Sequence, residues 1–387
     1  MAGRPDPLVR RPPGPSHDPG RPPAPSGGTA RRRPSSSPAD AVRHPGETRA
    51  WHHRDRAGLT RDRSSAIPKG GSPMHVPDHF LDPAVSTTTA AVALTGVSVA
   101  AWQVRQQASV HRLGFAAAVT GFVFAAQMVN YSVLPGTSGH FLGAALAAAL
   151  LGPWLGVLSV TVVLAVQALV FADGGLTALG TNVTLMAVVG VAVAWAVGRL
   201  LTRPLGRSAP RTAAGLGAVL SVPAAALVFS GLYAVGGTVP VDAGGLAASM
   251  LGVHALIGVG EAVITVAVLS LVLAVAPGLA AVDTRPLAPA RARRGALGVT
   301  GAGLLCAAAL SAVASSAPDG LESVALAYSF AEAAAPHALA GAVLAGYGET
   351  AGVPVALAGV VGLVLTGLLA AGALGALTAG RPAAVRH

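Results

Sequence analysis

From about residue 83 onward the chain is a succession of long apolar runs separated by short polar breaks. Eight stretches stand out, near 86–104, 113–134, 140–172, 177–200, 212–235, 246–277, 296–315 and 353–377. About twenty residues of helix, at roughly 1.5 Å rise each, match the hydrocarbon thickness of a bilayer. The third stretch is too long for one crossing and contains Gly152-Pro153. The pattern therefore predicts a short helix to about 152 and another to 172, nine spans in all. Helix is the expected form because each unpaired backbone group in hydrocarbon costs several kcal/mol. The fold class expected is all-α, a polytopic membrane protein.

Composition divides the chain at Met74. The first 73 residues carry 14 Arg or Lys against 6 Asp or Glu, a net of +8, with repeated Pro, Ser and Gly clusters and few large apolar side chains. Such a segment cannot bury enough surface to fold, and residues 1–73 are expected to be a disordered extension. Beyond it stand 12 Arg, no Lys and 10 acids, so the high overall charge says nothing about nucleic acid binding by the folded part. The arginines fall at 105–112, 199–211, 285–294 and 381–386, which are the segments after spans one, five, seven and nine. All lie on one side, and the bias of basic loops makes that side the cytoplasm. Asp78, Asp82, Asp173, Asp242, Asp319, Glu322, Glu332 and Glu349 fall on the other, so the segment MHVPDH lies outside.

An extension of net +8 ahead of an outward-facing segment, without an apolar signal sequence, contradicts the rule every later loop obeys. Translation is therefore expected to start at Met74. The codons of Lys69-Gly70-Gly71 can also spell a ribosome-binding core just upstream. The single thiol, Cys306, excludes a disulfide framework, a redox pair and a thiolate metal cluster, and reads as a small core residue. Without a lysine beyond Met74 there is no phosphate loop, and there is no HExxH. The folded part therefore reads as a non-enzyme.

A chain beginning Met74-His75 offers an amine, an amide nitrogen and an imidazole, spaced to close five- and six-membered chelate rings on one ion. Planar nitrogen coordination of this kind suits Ni(II), Cu(II) or a constrained Co(II) rather than tetrahedral Zn(II). His140, after the Pro-Gly-Thr-Ser-Gly turn between spans two and three, is expected to open the third helix and to supply the fourth corner. Gln127 and Asn130, three apart on one helical face, either orient ligands or pack between helices. His254 and Glu261 in span seven share a face and either fix packing or act within the membrane. Asn182, in the GTNV turn, supports the site or caps a helix.

The segments MHVPDHFLDP, QMVNYSVLPGTSGH, GGLTALGTNV and HALIGVGEAVIT resemble the successive signatures of the CbiM/NikM family. These are the substrate-binding membrane components of energy-coupling factor (ECF) transporters for cobalt and nickel. SAPDGLESVA resembles the PDGLE segment of the small partner component, CbiN/NikN, fused here to the same chain. The resemblance implies a seven-helix CbiM/NikM-like domain over 74–284 and a two-helix PDGLE domain over 285–387. It implies metal ligation by Met74, His75 and His140, with Co2+ or Ni2+ as transported substrate. It further implies a CbiQ/NikQ-like coupling subunit and CbiO/NikO-like ATPase subunits in a bacterial plasma membrane, with the site facing outside. The arginine segments 199–211 and 285–294 and the face Ala144-Ala145-Leu146-Ala147-Ala148 are the expected docking surfaces. One departure from the family pattern is His79 where glycine is usual, which adds a further possible ligand. The competing expectation is a self-sufficient divalent-metal carrier or channel relaying protons through Glu261 and His254, although the chain shows one intramembrane carboxylate and no internal repeat. Cobalt and nickel are not separated by the sequence.

Overall fold

A computed structural model describes residues 74–107, 110–205, 209–345, 347 and 354–379. The extension 1–73 lies outside them, and with it the expectations of disorder there and of a start at Met74. The described residues are mostly helical. In order they form α1 (Pro83–Gln107), α2 (Val110–Gln127), a hairpin of β1 (Tyr131–Leu134) and β2 (Thr137–Gly139), α3 (Ala144–Leu151) and α4 (Pro153–Val170). Then come α5 (Leu179–Asn182), a π-helical stretch Val183–Gly190 and α6 (Val191–Leu205), followed by α7 (Pro210–Gly236) and α8 (Ala243–Val275). The C-terminal part holds α9 (Pro289–Ala309), the short α10 (Gly320–Ala327) and α11 (Val355–Thr378).

Among the described residues seven helical segments are long and apolar enough to cross a membrane. Large apolar side chains such as Leu94, Val263 and Leu368 lie fully on the outer surface, as expected where the solvent is lipid rather than water. The chain is a multi-pass membrane protein. The other two of the nine expected spans, α2 and α3, are shorter. At about 1.5 Å per residue the eight residues of α3 cover only about 12 Å. Four residues of non-helical chain, His140 to Gly143, precede it.

Two expectations are corrected here. The second span does not continue to residue 134: α2 stops at Gln127, and Tyr131–Gly139 fold back as an antiparallel hairpin pairing Tyr131 with Gly139 and Ser132 with Ser138. Pro135-Gly136 makes the turn, and the β-branched and aromatic residues of YSVL favour a strand over a helix. Gln127 and Asn130 consequently do not share a helical face. His140 does not open the third helix either; it follows β2, and α3 begins only at Ala144 with Gly143 as its N-cap.

The two C-terminal spans, α9 and α11, pack on α2. Their contact relies on small residues: a Cβ added at Gly362 would overlap the ring of Phe124. Close backbone approach of this kind holds helices together where no water is displaced. At the arginine-bearing end the α8–α9 linker caps α3, with Ala281 and Val282 donating N–H to Leu150 and Ala149 carbonyls at 2.9 and 3.1 Å. The starts of α1 and α5 and the ends of α2, α4 and α7 meet at the opposite end.

Candidate metal centre

The segment from Met74 to Asp82 is non-helical, so every polar backbone atom it buries needs a partner from elsewhere. The loop after α4 supplies most of them. Met74 N donates to Asp173 Oδ1 at 3.0 Å. The Asn182 side chain holds Val76 on both sides, accepting from its N at 3.0 Å and donating to its O at 3.1 Å. Gly175 N also donates to Val76 O at 3.0 Å. Asp78 accepts the N–H groups of Leu176, Thr177 and Ala178 and the Thr177 hydroxyl. Burial alone raises the Asp78 carboxyl, but these hydrogen bonds outweigh it and hold the group below the ordinary aspartate value. Gly174 sits at φ +82°, and a Cβ there would come within 2.9 Å of His75 Cβ and 3.1 Å of Asn182 Nδ2. The GGLTALGTNV segment is thus the cradle of the MHVPD segment.

This cradle presents His75 to His140. Both are buried, and their ring centroids stand 5.3 Å apart at an interplanar angle of 60°. Each has a carboxylate on its Nδ1 side. His75 Nδ1 lies 3.2 Å from Asp173 Oδ1, an ion-pair distance without the alignment of a hydrogen bond. His140 Nδ1 is hydrogen-bonded to Asp319 Oδ2 at 3.1 Å. The Nε2 atoms of both rings are buried without a hydrogen-bond partner. A buried polar atom left unpaired costs about 1–3 kcal/mol, so such atoms on two adjoining rings mark a place for a ligand. The Asp173 carboxyl, raised by burial, is nonetheless held below its usual range by His75, His140 and the Met74 N–H.

Among the described residues no group of three or more His, Cys, Asp or Glu side chains is placed to hold an ion. The two imidazoles are available, with the backbone nitrogens of the Met74-His75 segment as further nitrogen donors, and Asp173 Oδ2 beside them is also buried without a partner. That donor set, nitrogen-rich and poor in oxygen and sulfur, fits a late divalent transition metal rather than a hard cation.

His140 owes its position to the incomplete third crossing. The non-helical residues before α3 bury backbone groups at membrane depth, which is tolerated only where protein partners satisfy them. Glu261, fully buried in α8, accepts from Leu142 N at 2.7 Å and from Gly143 N at 3.0 Å. Gln127, the last residue of α2, donates its Nε2–H to Leu142 O at 2.7 Å. Gln127 and Glu261 therefore hold the backbone two residues beyond His140.

The other sequence-marked residues divide cleanly. Asn182 is brought to the site as a support for Val76. Asn130 lies between α2 and the hairpin, where its carbonyl accepts from Ser315 N at 2.8 Å. His254 and Glu261 do not pair with each other: the His254 ring bonds the Met250 carbonyl of its own helix at 2.8 Å, whereas Glu261 reaches across to the His140 segment. His79 adopts φ +72°, the conformation that glycine takes without strain, and its side chain is exposed while His75 and His140 are buried. Asp173 and Asp319 were marked in the sequence only as outward-facing acids. Asp173 reaches the Met74 nitrogen across 99 residues and Asp319 the His140 imidazole across 179, and neither approach carries a local signal.

Comparison with known proteins follows this geometry. The family described as cobalt uptake substrate-specific transmembrane region, CbiM, matches residues 75–279, and the PDGLE domain matches residues 293–379. A candidate metal transport protein of Haloquadratum walsbyi is 38% identical over 211 residues, covering 53% of this chain and 93% of its own. A candidate fused nickel transport protein, NikMN, of Archaeoglobus fulgidus is 39% identical over 214 residues, 53% of this chain and 67% of its own. The crystal structure of a truncated transition metal transporter is 29% identical, with a TM-score of 0.48 over 52% of this chain and 98% of its own. With more than half of its length matched from His75 to Leu279, the chain belongs to the CbiM family of cobalt uptake transmembrane proteins, continued by a PDGLE domain.

Proposed function

We propose that this protein captures Ni2+ or Co2+ on the outer side of a bacterial plasma membrane and passes it inward as the substrate-binding component of an ATP-driven ECF importer. Residues 74–284 form the metal-binding part and residues 285–387 the PDGLE part. The ligands are the Met74 and His75 nitrogens with the His140 imidazole. The observation that carries this reading is that His75 Nδ1, the ring nitrogen that closes a six-membered chelate with the His75 amide nitrogen, and His140 Nε2 are both buried without a hydrogen-bond partner, on rings whose centroids stand 5.3 Å apart. A terminal amine at Met74 binds the ion through its lone pair and keeps an N–H for Asp173, the contact already made at 3.0 Å. Residues 1–73 are then absent from the metal-binding form. ATP hydrolysis belongs to separate subunits of the CbiO/NikO kind, joined through a CbiQ/NikQ-like coupling protein. An ion-coupled carrier is the weaker reading, because Glu261 and His254 each bond backbone instead of one another.

Metal titration of a chain starting at Met74 tests the ligands. One extra residue in front of Met74 should abolish Ni2+ and Co2+ binding with every side chain intact, and retained affinity would remove the amine. His140→Ala should weaken binding at least about tenfold. Vesicles holding this chain alone should show essentially no metal flux, and flux without any ATPase would reverse the choice between importer and carrier.

A further inference from the structure

We propose that Asp319, the acid of the PDGLE sequence, is a positioning residue for the metal site, fixing the tautomer and aim of His140 from the C-terminal part of the chain. This rests on the reading of His140 as a ligand. The two oxygens of Asp319 have separate partners: Oδ1 accepts from Glu322 N at 3.0 Å and so caps α10, while Oδ2 takes His140 Nδ1 at 3.1 Å. Asp319 is 3% exposed, so the bond to His140 is shielded from water. A ring that donates Nδ1–H to a carboxylate leaves Nε2 as the lone-pair donor, the arrangement by which metal-ligating histidines are usually oriented. His140 Nε2 is the atom left buried and unpartnered.

The contact is built rather than incidental. The chain before Asp319 is fastened to the hairpin before His140: Ser138 N donates to Pro318 O at 2.8 Å and the Ser138 hydroxyl to Ala317 O at 2.7 Å. Thr137 and Ser323 hydroxyls meet at 2.8 Å. Asp319 and His140 are therefore held in register from both sides, across 179 residues of sequence. Further along the chain, the Tyr347 ring packs on Phe171, two residues before Asp173, with centroids 5.8 Å apart.

Two substitutions separate capping from positioning. Serine caps a helix about as well as aspartate but is too short to reach the imidazole, whereas asparagine has a single oxygen, which accepts Nδ1–H only by turning its NH2 toward Glu322 N and giving up the cap. In the full metal-free chain in lipid nanodiscs, nitrogen-15 solid-state NMR should show His140 protonated on Nδ1 in the wild type and in Asp319→Asn. In Asp319→Ser it should show a shifted or mixed tautomer with the α10 cap retained. Ni2+ affinity should fall about 10- to 100-fold in Asp319→Ser and be largely restored in Asp319→Asn. A wild-type tautomer and affinity in Asp319→Ser, alongside weak binding by His140→Ala, would overturn the positioning role alone. Unchanged affinity in His140→Ala would overturn the ligand reading and the positioning role together.

Discussion

Replacing Glu261 should damage the metal site through backbone that carries no ligand. Its side chain accepts the N–H groups of Leu142 and Gly143 at 2.7 and 3.0 Å, with a further 3.3 Å contact from Gly143 N to Oε2. Both donors precede the first turn of α3, so no intrahelical carbonyl can take them over. In Glu261→Ala two buried donors lose their acceptor at about 1–3 kcal/mol each, a total loss of about 2–6 kcal/mol. Glu261→Gln keeps one oxygen but turns an NH2 toward a second donor, so it should lose about half as much, roughly 1–3 kcal/mol. Because His140 lies two residues before Leu142, Ni2+ affinity should fall in the same order, alanine more than glutamine. Unfolding midpoints in detergent and calorimetric titration with Ni2+ give the two readings. Wild-type stability and affinity in Glu261→Ala would show that the non-helical stretch finds its partners without α8.

Three other outcomes follow from the same accounting. Asn182→Ala removes both hydrogen bonds to Val76, and should cost about 1–3 kcal/mol of stability and weaken metal binding, while Asn182→Asp should retain part of both because its oxygen still accepts from Val76 N. His79→Gly should stabilise the metal-free chain by about 1 kcal/mol, since a side chain at φ +72° pays a penalty glycine does not; an unchanged midpoint would mean the turn is unstrained. Asp78, whose carboxyl is held below 3.8, contributes stability that is fully present above the unfolded aspartate value of about 3.9 and is lost as pH falls through the lower folded value. The stability gap between wild type and Asp78→Asn, followed by unfolding midpoint against pH, should therefore close on acidification below about pH 4, and a gap constant with pH would exclude Asp78 as its source.

The spans were legible because continuous apolar runs have one stable form in lipid, and Gly152-Pro153 marked the break between α3 and α4. The hairpin was not, because hydropathy reads MVNYSVL as a continuation of α2; only Pro135-Gly136 and the strand-forming YSVL signalled otherwise. That error set the start of the third helix at His140 instead of Ala144 and hid the work of Glu261, which bonds residues in between. Asn182, Gln127 and the two histidines could be picked out as polar groups in apolar surroundings. Asp173 and Asp319 were equally visible as acids, but in a membrane protein an outward acid is also a topology marker, and what separates the two roles is a tertiary contact across 99 or 179 residues.

Both candidate imidazoles sit on non-helical backbone where the surrounding architecture is helical, and this decides how the site is built. A histidine on a helix is oriented by a backbone that satisfies itself; one on a non-helical segment at membrane depth needs a partner for nearly every N–H and C=O around it. Those partners come here from α2 through Gln127, from α8 through Glu261, from the end of α5 through Asn182, and from the loop before α10 through the Ala317 and Pro318 carbonyls. No single element carries the site, so a change in how any of these helices pack alters the spacing of His75 and His140. Under the proposed function, a nitrogen shell assembled from such separate pieces is tight while they are held together and weak once one moves, as capture and release of an ion require. The same dependence makes the PDGLE part integral to the centre: without it Ser138 loses the carbonyls of Ala317 and Pro318, and His140 loses its carboxylate partner.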